Sequence, residues 1–159
     1  MKIITKNWTI LVLIISSFAI LVALIAENIF GYLPCKMCLY QRYPYYMIII
    51  ISAFFLLLRN ENNMVLLLII EILLLIGLFF ALWHVGIENQ ILIGPSGCSN
   101  IIKNAESVNE LRTIITNRPI VFCDEVNWSF LGISFAIYNS LLLFALLIFN
   151  SIFLFKKND

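Results

Sequence analysis

The sequence predicts an all-α integral membrane protein: a bundle of four transmembrane helices with a short amphipathic helix in one outer loop. Three observations predict it. Of 159 residues, 62% are hydrophobic and 12% are charged, about half the charged fraction of an ordinary soluble domain. The apolar residues collect into four stretches, each near the roughly 20 residues that cross a bilayer. With the exception of Glu71, the charges fall between or beside those stretches. A soluble fold of this size has too little interior to hide so much apolar surface. The net charge of +1 gives no basis for nucleic-acid binding.

The first stretch, 8–26, runs from Trp8 to Ala26 without a charge. Lys2 and Lys6 ahead of it imitate a signal peptide, but the apolar run is too long for a signal core. No A-x-A cleavage pattern follows, and three more spans do, so a retained helix is expected. The second, 43–58, is short, which puts its flanking residues in the interfacial zone. The third is 64–83 and the fourth 130–155. All four are expected as helices, because a helix satisfies its own backbone where lipid offers no partner. No repeat, linker or composition shift divides the chain, so 1–159 reads as one membrane domain. Ser16, Ser17, Ala19 and Ala23, and likewise Gly132, Ser134, Ala136, Asn139 and Ser140, mark faces where helices approach closely.

Orientation follows from lysine and arginine in the short loops. Four spans put both termini and the polar turn Arg59-Asn60-Glu61-Asn62-Asn63 on one side, together with Lys2, Lys6, Lys156 and Lys157. The opposite side has a tight loop, 27–42, and a long one, 84–129, which is net acidic. Both termini are therefore expected in the cytoplasm. In the long loop Gly94-Pro95-Ser96-Gly97 marks a turn. Ile101, Ile102, Ala105, Val108, Leu111, Ile114 and Ile115 then recur at helical spacing, predicting an amphipathic helix. It either lies on the bilayer or packs on the bundle ends. Arg118-Pro119 breaks it.

All four cysteines lie in the two outer loops. Cys35-Lys36-Met37-Cys38 is a CxxC pair in the first; Cys98 and Cys123 sit in the second. Pro44 fits only the first turn of a helix, so the second helix is expected to start near Gln41, with Cys35 and Cys38 just ahead of its N-terminus. The partial positive charge there, and Lys36, favour thiolates. A low thiol pKa makes a good leaving group, the property of a redox pair. The residues alone leave a zinc site and an inert disulfide open, although zinc sites usually pair two close-spaced ligand couples or add more histidines than His84.

Arg42 lies one turn past Cys38, at a depth where a cation needs a partner or a task. It can snorkel to headgroups or hydrogen-bond a carbonyl oxygen of a membrane-borne electron acceptor. His84 closes the third span on the same side, with Gly86 as the expected C-cap and Glu88 just after. It can donate a hydrogen bond or a proton to a reduced acceptor, or simply settle on the helix dipole. Glu27 is level with both and can pair with Arg42 or His84. Glu71, deep in the third span, has no partner legible in sequence.

Together these residues resemble the DsbB disulfide bond formation proteins. The resemblance is carried by the run from Glu27 through Gly31, Pro34, Cys35, Cys38, Gln41, Arg42 and Pro44 to Tyr45. Trp83-His84-Val85-Gly86-Ile87-Glu88 with Gly94-Pro95 and Cys98 extends it, as does Cys123-Asp124-Glu125-Val126-Asn127-Trp128 leading into Leu131-Gly132. It implies a four-helix bacterial inner-membrane enzyme with periplasmic cysteine loops, which reoxidises a DsbA-like thioredoxin-fold partner and reduces ubiquinone or menaquinone. By motif, Cys98 joins the partner in a mixed disulfide, Cys123 exchanges with Cys35, and Cys38 passes electrons to the quinone beside Arg42 and His84. Resting pairs Cys35–Cys38 and Cys98–Cys123 are implied, with Cys35–Cys123 transient. Competing expectations are a vitamin K epoxide reductase-like enzyme, whose CxxC usually lies on a late helix, and a non-enzymatic scaffold with structural disulfides or zinc. No metal site is expected.

Overall fold

The computed structural model describes residues 2–59, 64–95, 98, 121–126 and 128–158. It is mostly helical, with α1 (Lys2–Asn28), α2 (Lys36–Leu57), α3 (Met64–Glu88) and α4 (Phe135–Asn158). A two-stranded hairpin, β1 (Ser129–Phe130) and β2 (Ile133–Ser134), precedes α4. Three helices contain stretches long and apolar enough to cross a membrane: Asn7–Asn28, Met64–Glu88 and Phe135–Lys156. The second helix is not among them, because Gln41, Arg42 and the tyrosines at 40, 43, 45 and 46 dilute its first half. It is nonetheless packed between α1 and α3, and α3 packs along α4. The predicted amphipathic helix at 101–115, the Arg118-Pro119 break and the 60–63 turn lie outside the described residues.

Three helix ends differ from the sequence reading, each for a local reason. The second helix starts at Lys36, not near Gln41, because Cys35 itself serves as its N-cap. Pro44 is then interior and buried, and a Cβ on Gly77 would lie 3.4 Å from the Cβ of Pro44. The third helix continues past Trp83 to Glu88, so Gly86 is inside it. The left-handed residue that ends it is Gln90, at φ 59°. Gly86 serves a close approach instead: a Cβ there would meet Leu92 Cδ1 at 2.6 Å. The fourth helix starts at Phe135, because Leu131 (φ 52°) and Gly132 (φ 79°) turn the chain back first. Two consecutive positive-φ residues give the tight turn that matches strand twist in a two-residue hairpin loop.

The core is an apolar seam dominated by α3, whose Leu66, Leu67, Ile70 and Leu74 are fully buried. Near the chain's N-terminus Trp8 closes α1 onto α4 by stacking on Phe153 at 4.8 Å and donating to Asn150 Oδ1 at 2.8 Å. Asn150 Nδ2 donates to Leu67 O at 3.0 Å and to Glu71 Oε2 at 2.6 Å. Ser151 donates to Glu71 Oε1 at 2.5 Å. Glu71 is therefore the acceptor of a polar clamp tying α1, α3 and α4. Each buried polar group in it is partnered, as a low-dielectric interior requires. Farther along α1, residues such as Phe18, Ala19 and Ala23 line a cavity instead of meeting α4.

Candidate functional site

The CxxC is set by the start of α2. Cys35, extended at φ −72° and ψ 167°, caps the helix, and its Sγ accepts the Cys38 backbone N–H at 3.1 Å. A cap normally uses Ser, Thr, Asp or Asn; here a thiol takes that place. Helical geometry then puts Cys38 one turn on. Both are free thiols, Cys35 buried and Cys38 half-buried. They lie ahead of the apolar run of α2. Hydrogen bonding to Cys38, then burial, pushes the Cys35 thiol well above the usual cysteine range. The same hydrogen bond from Cys35 holds Cys38 below it. Of the two, Cys38 is the thiol that ionises first. The sequence reading expects both thiols to be lowered; only Cys38 is, because the shared hydrogen bond favours the proton on Cys35, and burial of Cys35 adds to it.

His84 reaches the pair from the last turns of α3, with Nε2 3.5 Å from Cys35 Sγ. On the same side of the ring Glu88 Oε1 lies 3.9 Å from Nε2. Glu88 in turn accepts from Ser134 Oγ at 2.6 Å. On the other side Gln41 Nε2 lies 2.8 Å from His84 Nδ1. Gln41 Oε1 accepts from Asn139 Nδ2 at 2.5 Å, and Asn139 Oδ1 accepts from Tyr45 at 2.6 Å. Arg42 donates to Glu27 Oε2 at 2.7 Å, resolving the choice of partner for Glu27. That bond uses one of five guanidinium N–H groups.

Cys35, Cys38, Gln41, Arg42, Tyr45, His84, Glu88 and Asn139 share the wall of a cavity of about 700 Å³. Apolar residues of α1 and α4, among them Ile14, Phe18, Ala19 and Leu142, continue the wall below them. Trp128 stacks on Phe135 at 3.6 Å and faces Tyr32 at 5.2 Å, and all three line the same cavity. Cys98 and Cys123 form a disulfide across 25 residues. It lies in one buried cluster with Cys35, Met37 and Ile87. The turn read at Gly94-Pro95 folds it inward: Cys98 N–H donates to Pro95 O at 3.0 Å, and a Cβ on Gly94 would be 2.8 Å from Cys98 Cβ.

The structure therefore brings Cys35, Cys38, Arg42 and His84 to one cavity and sets the Cys98–Cys123 pair beside it. Sequence reasoning missed Gln41, Asn139 and Tyr45 as site residues. The sequence reading places Asn139 on a helix-packing face, and the polarity of Gln41 and Asn139 in apolar helices is the available signal. Among the described residues the ligand atoms of Cys35, Cys38 and His84 lie within 4.8 Å of one another. Three N/S donors are a soft-metal set, yet they also suit redox exchange.

Such a site in a membrane-helix protein, a half-buried dithiol under a cavity with a second cysteine pair against it, defines a membrane thiol–disulfide oxidoreductase. A family model described as Disulfide bond formation protein DsbB matches residues 5–153. The chain belongs to that family. It is also 36% identical over 152 residues to "Uncharacterized protein RP370" of Rickettsia prowazekii (strain Madrid E), covering 94% of this chain and 88% of that one. No solved structure matches the chain.

Proposed function

We propose that the chain is a thiol:quinone oxidoreductase of the bacterial inner membrane that reoxidises a periplasmic DsbA-like dithiol protein. Electrons pass from the partner through Cys98 and Cys123 to Cys35 and Cys38, and then to ubiquinone or menaquinone. In this reading all four helices cross the membrane, with both termini cytoplasmic and the cysteine loops periplasmic. The observation that carries it is the joint placement of Cys38 at the polar head of an apolar-walled cavity and of the Cys98–Cys123 disulfide against Cys35.

A quinone needs donors for its ring oxygens and an apolar channel for its tail, and the cavity offers both. Arg42, Gln41, His84 and Asn139 line it together with Cys38, and α1 and α4 supply the apolar wall. When bound, a quinone supplies a sink for two electrons and two protons. Arg42 would hold a ring oxygen, and Cys38, whose thiol Cys35 makes more acidic by hydrogen bonding, would supply the electrons from the same cavity wall. At the other pair, a partner thiolate attacks Cys98 and releases Cys123 as a thiolate. Cys123 attacks Cys35 of the Cys35–Cys38 disulfide, and Cys38 leaves with the electron pair. Cys98 and Cys123 are both fully buried here, so contact with a partner must first uncover Cys98. The arrangement with Cys98–Cys123 bonded and Cys35 and Cys38 free is the one in which two electrons wait at the cavity.

The test is quinone reduction by the purified protein in detergent, supplied with a reduced DsbA-type partner. Turnover by the wild type, lost in Cys38→Ser and in Cys98→Ser, is the expected result. Absence of turnover with either quinone, with zinc bound or the cysteines inert to mild reductant, would overturn the proposal in favour of a scaffold.

A further inference from the structure

The hydrogen bonds behind His84 form a chain across three helices. Tyr45 and Gln41 come from α2, His84 from α3 and Asn139 from α4. Tyr45 O–H donates to Asn139 Oδ1 at 2.6 Å, which leaves the Asn139 amide N–H₂ to donate to Gln41 Oε1 at 2.5 Å. Gln41 has then used its oxygen as an acceptor, and its N–H₂ faces His84 Nδ1 at 2.8 Å. A ring nitrogen that accepts carries no proton, so the neutral imidazole holds its hydrogen on Nε2. On that side stand two acceptors, Cys35 Sγ at 3.5 Å and Glu88 Oε1 at 3.9 Å. The reverse polarity would set an unprotonated Nε2 against a carboxylate oxygen. Both sides of the ring therefore select the same tautomer.

We propose that Gln41, Asn139 and Tyr45 are positioning residues that hold His84 as an Nε2–H donor aimed at the sulfur of Cys35. The proposal rests on the relay described above for its consequence, though not for its geometry. In that relay Cys35 must leave as a thiolate once, when the Cys98 thiolate attacks Cys123 of a Cys35–Cys123 link. The Cys98–Cys123 bond forms, the Cys35–Cys123 bond breaks, and the electron pair stays on Cys35. Cys98 is oxidised and Cys35 reduced, with no proton transferred. A donor already aimed at Cys35 meets that charge without reorganisation, the preorganised stabilisation that lowers barriers most. A His84 of the opposite tautomer would present a lone pair to it.

His84 is the sole histidine of the chain, so ¹⁵N-histidine labelling reports on one ring. The full-length, reduced protein in detergent should show a protonated Nε2 and an unprotonated, accepting Nδ1. Gln41→Glu places an acceptor-only carboxylate opposite Nδ1 and should transfer the proton to Nδ1. Gln41→Ala and Asn139→Ala should each give a mixture of tautomers. In rapid-quench measurements, re-formation of the Cys98–Cys123 bond should slow about tenfold in Gln41→Ala, the effect of losing roughly one hydrogen bond to a charged group. A wild-type ring protonated on Nδ1 would overturn the proposal even if no variant folds. So would one tautomer shared by wild type, Gln41→Glu and Gln41→Ala. A tautomer that responds as stated in a protein that reduces no quinone would support the positioning network and refute the proposed function instead.

Discussion

The two ends of the bundle use polar side chains inside apolar helices in opposite ways. At one end Glu71, Asn150, Ser151 and Trp8 form a clamp in which the donors and acceptors satisfy one another. At the other, the chain through Tyr45, Asn139, Gln41 and His84 ends on a cysteine sulfur beside a cavity. Both networks tie α4 to its neighbours. Only the second terminates on an atom that can gain or lose a bond. A buried polar network therefore signals function when one end of it is chemically open, and signals architecture when it closes on itself.

Substitution at the closed end should affect stability and leave chemistry alone. Asn150→Leu strands the Trp8 N–H and one acceptor site of Glu71, and an unsatisfied buried group costs about 1–3 kcal/mol, more beside a charge. We expect a loss of about 2–3 kcal/mol in denaturant titration of the protein in micelles, with turnover per folded molecule unchanged. A drop in specific turnover would mean that the two ends are not separate. Arg42→Ala should weigh the other way, raising the quinone KM about tenfold, as for one lost charge-assisted hydrogen bond, with a smaller loss of stability from the partly exposed Glu27 left without its partner. Unaltered quinone affinity and turnover in that variant would remove Arg42 from the site.

A smaller effect concerns the two thiols themselves. Cys38 is lowered by the hydrogen bond from Cys35, and Cys35 is raised by hydrogen bonding to Cys38 and by burial. Alkylation requires the thiolate. As pH falls below 9.0, the ordinary value, Cys38 should go on reacting with iodoacetamide after a normal cysteine has stopped. Cys35 should begin to react only at more alkaline pH than a normal cysteine. Peptide mass spectrometry across a pH series separates the two, and coincident profiles would contradict the assignment of proton and charge. Least of all, Gly86→Ala should cost about 1 kcal/mol, because the flexible end of Leu92 can move away from the added methyl. A loss several times larger would show that the turn after α3 is rigid.

Much of this was legible in the sequence, and the reasons for the rest are physical. The CxxC at a helix start and the need of Arg42 for a partner could be read, because a helix N-terminus has a known polarity and a cation at that depth is costly alone. That Glu27 pairs with Arg42 and not His84 came from the structure. The start of α2 is not legible because Pro44 suggests a first turn, whereas Cys35 supplies a cap two turns earlier. Gly86 suggests a helix end in sequence because its close neighbour, Leu92, comes from the turn that follows and leaves no local signal. The hairpin before α4 was missed because Leu131 gives no turn signal of its own; only Gly132 does. Gln41 and Asn139 are 98 residues apart, and no local periodicity reports such a contact.

Ser134 carries a further consequence. Its single oxygen donates to Glu88 at the end of α3 and accepts the Ile137 N–H at 3.3 Å, capping α4. One hydroxyl is thus a rivet through two helix ends, eleven residues downstream of Cys123 in the chain. Through Glu88 the same hydroxyl also steadies the carboxylate that faces His84, so the fold of the hairpin and the setting of the histidine share one atom.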